Sequence, residues 1–167
     1  ALAQQINLDL NQYEIDHLSL RVNTEQMANA WLTRLLAYGS VLSDNLINGR
    51  VIYLIQLHEP LRLTQQEVDV VELPFPKDKH YPQETWEHIE VVVPFLPNET
   101  SAEWLARIKN TFLWNKPERF TVKMSEPKGC GEKLLNLSVA VSFVDKTQNP
   151  TCIKFHPYSI KQIVSAV

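Results

Sequence analysis

The chain has 167 residues, of which 44% are hydrophobic, and its 16 basic and 19 acidic residues give a net charge of −3. A chain of this length suits one compact domain, or two small modules that share a core. The charges are mixed without a long run of either sign, which argues against a surface that binds nucleic acids or anionic membranes.

The sequence also favours a location in the cytoplasm. No apolar run approaches the roughly 20 residues of a membrane span. The first residues, ALAQQ, lack the basic start and apolar middle of a signal peptide. Cys130 and Cys152 are too few for a disulfide scaffold and neither belongs to a CxxC motif, which indicates a reducing compartment. A single bridge between them is the alternative.

A strand and a helix are predicted first. Residues 16–22, DHLSLRV, alternate polar and apolar side chains, so His17 shares a strand face with polar residues while the apolar residues share the other. Residues 23–26 have the spacing of a capping box, and apolar side chains then recur at helical intervals. This pattern predicts an amphipathic helix that Gly39 ends.

Further strands should follow this helix. Asn48-Gly49 is the strongest short hairpin dipeptide, so a strand is expected on each side of it. Residues 51–57, VIYLIQL, are β-branched and apolar, and residues 68–73, VDVVEL, predict a shorter strand that Pro74 ends. Glu59-Pro60 should break the pairing between these two strands.

The second half of the chain repeats this order after a linker at residues 74–82, which is rich in proline and charge. A strand at residues 87–93, EHIEVVV, precedes a helix whose capping box begins at Thr100. Lys116-Pro117 marks a break, and residues 126–132 have the composition of a loop. The other predicted strands are residues 120–124, 135–144 and 151–156.

Both halves therefore have the element order strand, helix and three strands. The segments DHLSLRV and EHIEVVV begin with the same pattern, an acid followed by a histidine and then alternating apolar residues. We predict an α+β fold in which residues 1–76 and 77–167 form two βαβββ modules of one compact domain. Their strands should join into a curved, cup-like mixed β-sheet with the helices packed outside.

The faces of the predicted strands indicate that this cup is hollow. His88 and Glu90 share one strand face, and residues 135–144 place small, mostly polar side chains opposite an apolar face. Because His17 and His88 occupy equivalent places in two related modules, we expect them to meet near the axis between the modules. The alternative is that these polar faces are the solvent faces of ordinary one-sided sheets.

Other polar residues are weaker candidates. Strand alternation turns Asp16 and Glu87 away from the neighbouring histidines, which makes them poor partners for the imidazoles. Arg21 fronts the first strand and could bind a carboxylate or phosphate of a substrate, although a surface salt bridge is the more common role. His58 lies in a turn and His80 in the linker, where a structural or solvated side chain is the more common case.

Six segments of the chain, spread over nearly its whole length and in the right order, carry a resemblance to a known family. They are DHLSLR (16–21), SDNLINGR (43–50), LHEP (57–60), VELPFP (71–76), HYPQETWEHIEVVVP (80–94) and IKFHPYSI (153–160). In these segments the chain resembles the YecM-like family, a branch of the vicinal oxygen chelate fold shared with glyoxalase, the epimerases and extradiol dioxygenases. Members of that family are described as metal-binding proteins of unknown reaction, so the resemblance implies a fold and a site more than a function.

The resemblance implies a divalent metal ion with ligands from the first and last strands of each module. Carried over to this sequence, it implies His17, Glu72 and His88 as ligands, with a fourth position near His156. Two imidazoles and a carboxylate hold Zn, Mn, Fe or Ni and leave positions open for water or substrate. Glu90 competes with Glu72 for the carboxylate role, because it lies on the same strand face as His88, about 7 Å away along the backbone.

The fourth ligand position depends on how the two modules are aligned. Matching Pro74 with Pro157 aligns Glu72 with Phe155, so His156 comes one position later. A shift of one residue moves a strand side chain to the opposite face. Either a bulge brings His156 into the cup, or His156 lies on the rim.

The expected function is that of a metal-dependent isomerase, epimerase or oxygenase acting on a small oxygen-rich molecule. Glu90 would move a proton, and Arg50 would bind a carboxylate or phosphate of the substrate unless it forms a surface salt bridge. One alternative is a non-catalytic protein that binds a small ligand in the same cup. Another is an interaction module with a vestigial site.

Overall fold

The computed structural model describes residues 1–112, 118–126, 133–147 and 149–166. The predicted break at Lys116-Pro117, most of the predicted loop at 126–132 and Cys130 lie outside the described residues. Predictions that involve them, including the alternative of a disulfide bridge, stay predictions.

The described residues form four helices and nine strands, and none of these helices is long and apolar enough to cross a membrane. In chain order the elements are α1 (Leu2–Gln5), β1 (Glu14–Leu20), α2 (Glu25–Leu36), β2 (Gly39–Ser43), β3 (Leu46–Ile47), β4 (Arg50–Leu63), β5 (Gln66–Pro74), β6 (Trp86–Val92), α3 (Ser101–Thr111), β7 (Phe120–Ser125), β8 (Ser138–Phe143), β9 (Cys152–His156) and α4 (Ile160–Ser165). The short terminal helices α1 and α4 are not predicted by the sequence.

All nine strands belong to one mixed sheet with the order β2-β4-β5-β1-β6-β9-β8-β7, and β3 pairs with β4. The two modules meet at the antiparallel pair β1 and β6. On either side of this pair the order is symmetric, because β1 pairs in parallel with β5 and β6 pairs in parallel with β9. The predicted α+β fold of two βαβββ modules is confirmed, with the short strand β3 as an addition to the first module.

Each module has its own apolar cluster between its long helix and the back of the sheet. In the first module Leu35 of α2 packs with Leu20 and Ile55, and in the second Trp104 of α3 packs with Phe155. These are the apolar strand faces that the alternation of residues predicts. Burial of apolar side chains on one face therefore leaves the polar strand faces on the other side of the sheet, away from the helices.

The terminal helices cross between the modules. Leu2 of α1 and Ile6, which follows it, belong to the apolar cluster of the second module. Ile160 of α4 packs with Leu54 and Val70, on strands of the first module. Each end of the chain thus completes the apolar core of the other half. The predicted boundary between residues 76 and 77 separates the strands of the two modules, but the apolar packing crosses it.

The first long helix differs from its prediction at both ends. Its N-cap is Thr24, whose hydroxyl accepts from the amide of Met27 at 3.1 Å, rather than Asn23. The side chain of Asn23 instead bonds to both backbone groups of Tyr81, so it is not available as a cap. The helix ends at Leu36, and Gly39 is the first residue of β2, where an added Cβ would lie 2.4 Å from the carbonyl oxygen of Gln56. Gly39 is therefore explained by the close approach of two strands, not by a helix end.

The hairpin and strand predictions hold with two adjustments. Asn48 and Gly49 both have positive φ, 51° and 79°, and join β3 to β4 as the dipeptide predicts. Glu59-Pro60 shifts the register of β4 against β5 between Gln56 and Leu61 without ending the strand, because pairing resumes as far as the tip of the hairpin. The long strand predicted at 135–144 begins only at Ser138.

Gly39→Ala tests the close approach of β2 to β4. The added methyl group would collide with the backbone of Gln56, so we expect the free energy of unfolding to fall by about 1–3 kcal/mol. Urea denaturation followed by circular dichroism measures this change. Ser40→Ala, at the exposed next position of the same strand, should change the stability by less than about 0.5 kcal/mol. Equal effects of the two substitutions would contradict this account of Gly39.

Candidate metal centre

Two bulges in the central strand pair build the candidate site. The register of β1 against β6 shifts between Ile15 and His17, which leaves Asp16 as an extra residue in β1. It shifts again between Ser19 and Leu20, which leaves Glu87 as an extra residue in β6. A bulge suspends the alternation of side chains and can turn the extra residue toward the face of its neighbour. The prediction that Asp16 and Glu87 face away from the histidines is therefore wrong.

These two acids hold the histidine rings. Nδ1 of His17 donates to Oδ2 of Asp16 at 2.7 Å, and Nδ1 of His88 contacts Oε2 of Glu87 in the same way. A carboxylate at Nδ1 fixes the tautomer of an imidazole and leaves its Nε2 atom as the free lone pair. The two bulges thus aim both Nε2 atoms at one point between the modules.

Two further carboxylates complete the centre. Nε2 of His17 lies 3.3 Å from Glu90 and 3.6 Å from Glu72. Nε2 of His88 lies 3.2 Å from Glu90 and 3.9 Å from Glu72. One ligand atom from each of these four side chains can be chosen so that all lie within 4.8 Å of one another. The structure therefore brings together His17, His88 and both of the competing carboxylates.

Burial and opposite charges determine the protonation of the centre. Burial lowers the pKa of His17, but the negative charge of Glu90 and the bonds to its carboxylate neighbours outweigh this effect, and the pKa lies well above the ordinary value. Burial raises the pKa of Glu90, but the nearby positive groups, His156 first, hold it well below the ordinary value. The pKa of Glu72 is lowered against burial mainly by the neighbouring His17. Without an ion, the carboxylates stay ionised because cationic side chains surround them.

Glu87 and Lys154 extend this arrangement. Burial opposes ionisation of Glu87, but its bond to His88 lowers its pKa to about 2. Nζ of Lys154 lies 3.6 Å from Glu90, and the carboxylates raise its pKa although burial would lower it. Lys154 is not among the residues that the sequence predicts for the site. Matching Pro74 with Pro157 does not reveal that its side chain faces the cup.

The sheet register also settles the position of His156. Leu18 pairs with Ile89 at the symmetry axis, which makes Ser19 equivalent to Glu90. Ser19 pairs with Glu72 and Glu90 pairs with Lys154, so Lys154 is the counterpart of Glu72, and His156, two residues later, is the counterpart of Pro74. The pairing of β6 with β9 is unbroken, so no bulge is needed.

His156 consequently faces the centre and not the rim. It is buried, its Nε2 contacts Oε2 of Glu90, and its ring meets that of His17 edge to face at 6.0 Å. It belongs to a second group of possible ligands that overlaps the first, composed of Asp16, His17, Glu90 and His156. The expected fourth position near His156 is thus adjacent to His17 and Glu90.

Hydrogen bonds and an ion pair from Ser19 and Arg21 hold the carboxylate of Glu72 in place. Ser19 donates its hydroxyl to Oε1 of Glu72 at 2.7 Å, and Nη1 of Arg21 donates to Ser19 at 2.7 Å and lies 3.4 Å from the same carboxylate. Arg21 is buried, so the expected surface salt bridge is wrong. The polar face of β1 carries a connected network because the sheet curves over it. His58 and His80 are exposed and lie outside both ligand groups.

A cavity of about 290 Å³ opens onto the carboxylates. We call it the inner cavity; it is lined by residues of both modules, including Arg50, Glu72, Glu90, Asn136, Ser138, Lys154, His156 and Ile160. Asn136, just before β8, and Ser138, at its start, therefore face a hollow rather than open solvent. Ile160 and Val164 of α4 form part of its wall, so the C-terminal helix narrows the cup.

Comparisons with known proteins agree with this architecture. A family model described as YecM protein matches residues 1–166. This chain belongs to the YecM family. It is 40% identical to protein YecM of Escherichia coli over 99% of this chain and 84% of that protein. It is 57% identical to an uncharacterised protein of Haemophilus influenzae over 96% of this chain and 83% of that protein.

A solved structure supports the membership in the YecM family. The structural-genomics protein EC4020 superposes with a TM-score of 0.76 at 36% identity, over 98% of this chain and 82% of that one. The family resemblance that the sequence segments indicate is thus confirmed over the whole chain. Membership in this family identifies the fold, whereas the chemistry depends on the side chains of the site.

The side chains of this YecM-family protein fit a divalent ion. Nε2 of His17 is buried and has no hydrogen-bond partner among the described residues, although two carboxylates lie near it. A buried ring nitrogen without a hydrogen-bond partner is an unsatisfied polar atom, and a metal ion satisfies it when the imidazole gives up its proton. Two imidazoles and two carboxylates also supply the charge and donor types that a divalent first-row metal requires.

Asp16→Ala tests whether the bulge acid organises the site. Asp16 also accepts from the amide of Ile160 at 2.9 Å, so the substitution leaves two buried donors without an acceptor. We expect the free energy of unfolding to fall by about 2–4 kcal/mol and the Ile160 amide to exchange its hydrogen faster. Asp44→Ala, at an exposed position, is the control. An unchanged exchange rate at Ile160 would show that Asp16 does not tie α4 to the centre.

Proposed function

We propose that this chain binds one divalent metal ion through His17, His88 and Glu72, with Glu90 or His156 beside them, and uses it as an enzyme on a small oxygen-rich molecule. The observation that supports this proposal is the convergence of four ligand side chains, three buried and one half-buried, on one point beside a cavity. Isomerase, epimerase and oxygenase reactions are the classes that suit such a centre. We also propose a cytoplasmic location, on the sparse cysteines of the sequence.

Zn, Mn, Fe and Ni suit this donor set. When bound, the ion would supply Lewis acidity toward oxygen atoms of the substrate. The side chains around it would perform the remaining tasks. Asp16 and Glu87 would keep the two imidazoles oriented through their Nδ1 atoms, and the buried sheet face would restrict access of water.

The two carboxylates differ in their surroundings, and this difference suggests separate roles. Oε1 of Glu72 is held by Ser19 and lies beside Arg21, which suits a fixed ligand. Glu90 lies among Lys154 and His156 as well as the two central histidines, so groups that can give or take a proton surround it. We therefore assign metal binding to Glu72 and proton transfer to Glu90.

Arg50 is assigned to the substrate. It lies at the start of β4 and lines the inner cavity, opposite the strands of the second module. A guanidinium group in this place would bind a carboxylate or phosphate in two-pronged geometry. Orientation of the substrate would thus come from the first module and from residues of β8.

The metal content of the purified protein tests the centre. We expect about one divalent ion per chain in the wild type, measured by plasma mass spectrometry after dialysis, and nearly none in His17→Ala/His88→Ala. His58→Ala/His80→Ala removes two exposed histidines and should leave the content unchanged. A wild type without metal, or a double variant at the centre that keeps as much, would refute the metal centre.

Glu72→Gln and Glu90→Gln separate the ligand from the proton carrier. If Glu72 is the ligand, its substitution should weaken metal affinity by about 10- to 100-fold, while Glu90→Gln should retain the metal. Exchange of substrate hydrogen for deuterium, followed by NMR across panels of dicarbonyls, 2-oxo acids and catechols, should be lost in Glu90→Gln. Loss of metal in both variants would make Glu90 a ligand. Binding without turnover across the panels would favour a non-catalytic ligand-binding protein.

A further inference from the structure

A second cavity of about 470 Å³ adjoins the inner cavity and is strongly basic. We call it the outer cavity. Its described lining contains seven of the 16 Lys and Arg residues of the chain, against two acidic side chains. The chain as a whole carries a net charge of −3, so this concentration of positive charge does not follow from composition.

Several of these cations have no acidic partner. Lys154 and Arg21 face the carboxylates of the centre, at 3.6 Å from Glu90 and 3.4 Å from Glu72. Within the described part of the chain, no ion pair involves Arg50, Lys123 or Lys146. Like charges around one cavity repel each other and leave a positive potential that attracts an anion.

The two cavities share part of their lining. Arg50, Lys123 and Lys154 contribute to both, so a small molecule that touches these cations also lies beside Glu72 and Glu90. The hairpin that carries Arg50 is held in place, because Nζ of Lys77 donates to the carbonyl oxygen of Asn48 at 2.8 Å. A fixed hairpin holds Arg50 at the junction of the two cavities.

We propose that the outer cavity binds an anionic group of the ligand, a phosphate or a carboxylate, through Arg50, Lys123 and Lys146. The ligand would then be at least a dianion, with oxygen atoms directed to the metal centre and a second anionic group several atoms away. The placement of the ligand's oxygen atoms at the metal centre rests on the proposed function, whereas the basic outer cavity does not depend on a bound ion. Neutral dicarbonyls and catechols lack the second group and would bind weakly.

Isothermal titration calorimetry with three simple probes tests this proposal. The probes are 2-phosphoglycolate, succinate and glycolate, which carry a phosphate and a carboxylate, two carboxylates, and one carboxylate. We expect at least one of the first two to bind about tenfold or more tightly than glycolate, and its affinity to fall with added salt. Whichever dianion binds more tightly identifies phosphate or carboxylate as the preferred group.

Charge-removal variants locate the binding site. Arg50→Gln/Lys123→Gln should weaken binding of the better dianion by about tenfold or more. Arg34→Gln/Lys109→Gln makes the same charge change at exposed positions of α2 and α3 and should stay within about twofold. If the first double variant does not fold by circular dichroism, Lys146→Gln alone, at an exposed position, must weaken binding. Equal affinity for glycolate, or equal loss in the control variant, would overturn the proposal.

The same samples distinguish failure of the two proposals. Titrations are made on protein stripped of metal with a chelator and on protein reloaded with Zn²⁺, and metal content is measured in parallel. Dianion binding that depends on Arg50 and Lys123 in a protein that takes up no metal would support the basic cavity and refute the metal centre. A protein that retains metal but binds no dianion under either condition would refute the basic cavity alone.

Discussion

The central constraint of this structure is the antiparallel pairing of β1 with β6 across the axis between the modules. Because the two strands run in opposite directions, the histidine that opens the polar face of each is carried to the same point. The two bulges then turn Asp16 and Glu87 onto the imidazoles. Without the bulges these acids would face the helices, where an unpaired buried carboxylate would be costly.

The candidate centre is a balance of buried charges. Four carboxylates, two flanking and two central, lie among three histidines, Lys154 and Arg21. Removing one member of a buried ion pair costs about 3–5 kcal/mol, and such a cluster adds little to stability as a whole. The fold sustains it because the apolar clusters behind the sheet supply the stability. In the absence of an ion, protonated histidine compensates the negative charge of the carboxylates. A divalent ion would take over this role, so metal binding would release protons.

The two ends of the chain connect the modules next to this cluster of buried charges. Helix α1 completes the core of the second module, and α4 packs on the first module while Ile160 bonds to Asp16. The carboxylate that orients His17 therefore also holds the helix that walls the inner cavity. The cations of the outer cavity lie beside the carboxylates of the inner cavity, an arrangement that suits a ligand with distinct chelating and anionic ends.

Sequence by itself determined the two long helices, most strands, the duplication and the polar face shared by His17, His88 and Glu90. These features depend on short-range periodicity, and apolar alternation allows only one face to be buried. Only the tertiary structure decided the roles of Asp16 and Glu87, the direction of His156 and the presence of Lys154. Each of these depends on the register between strands that are far apart in the chain, and a single extra residue in one strand reverses the face on which a side chain lies.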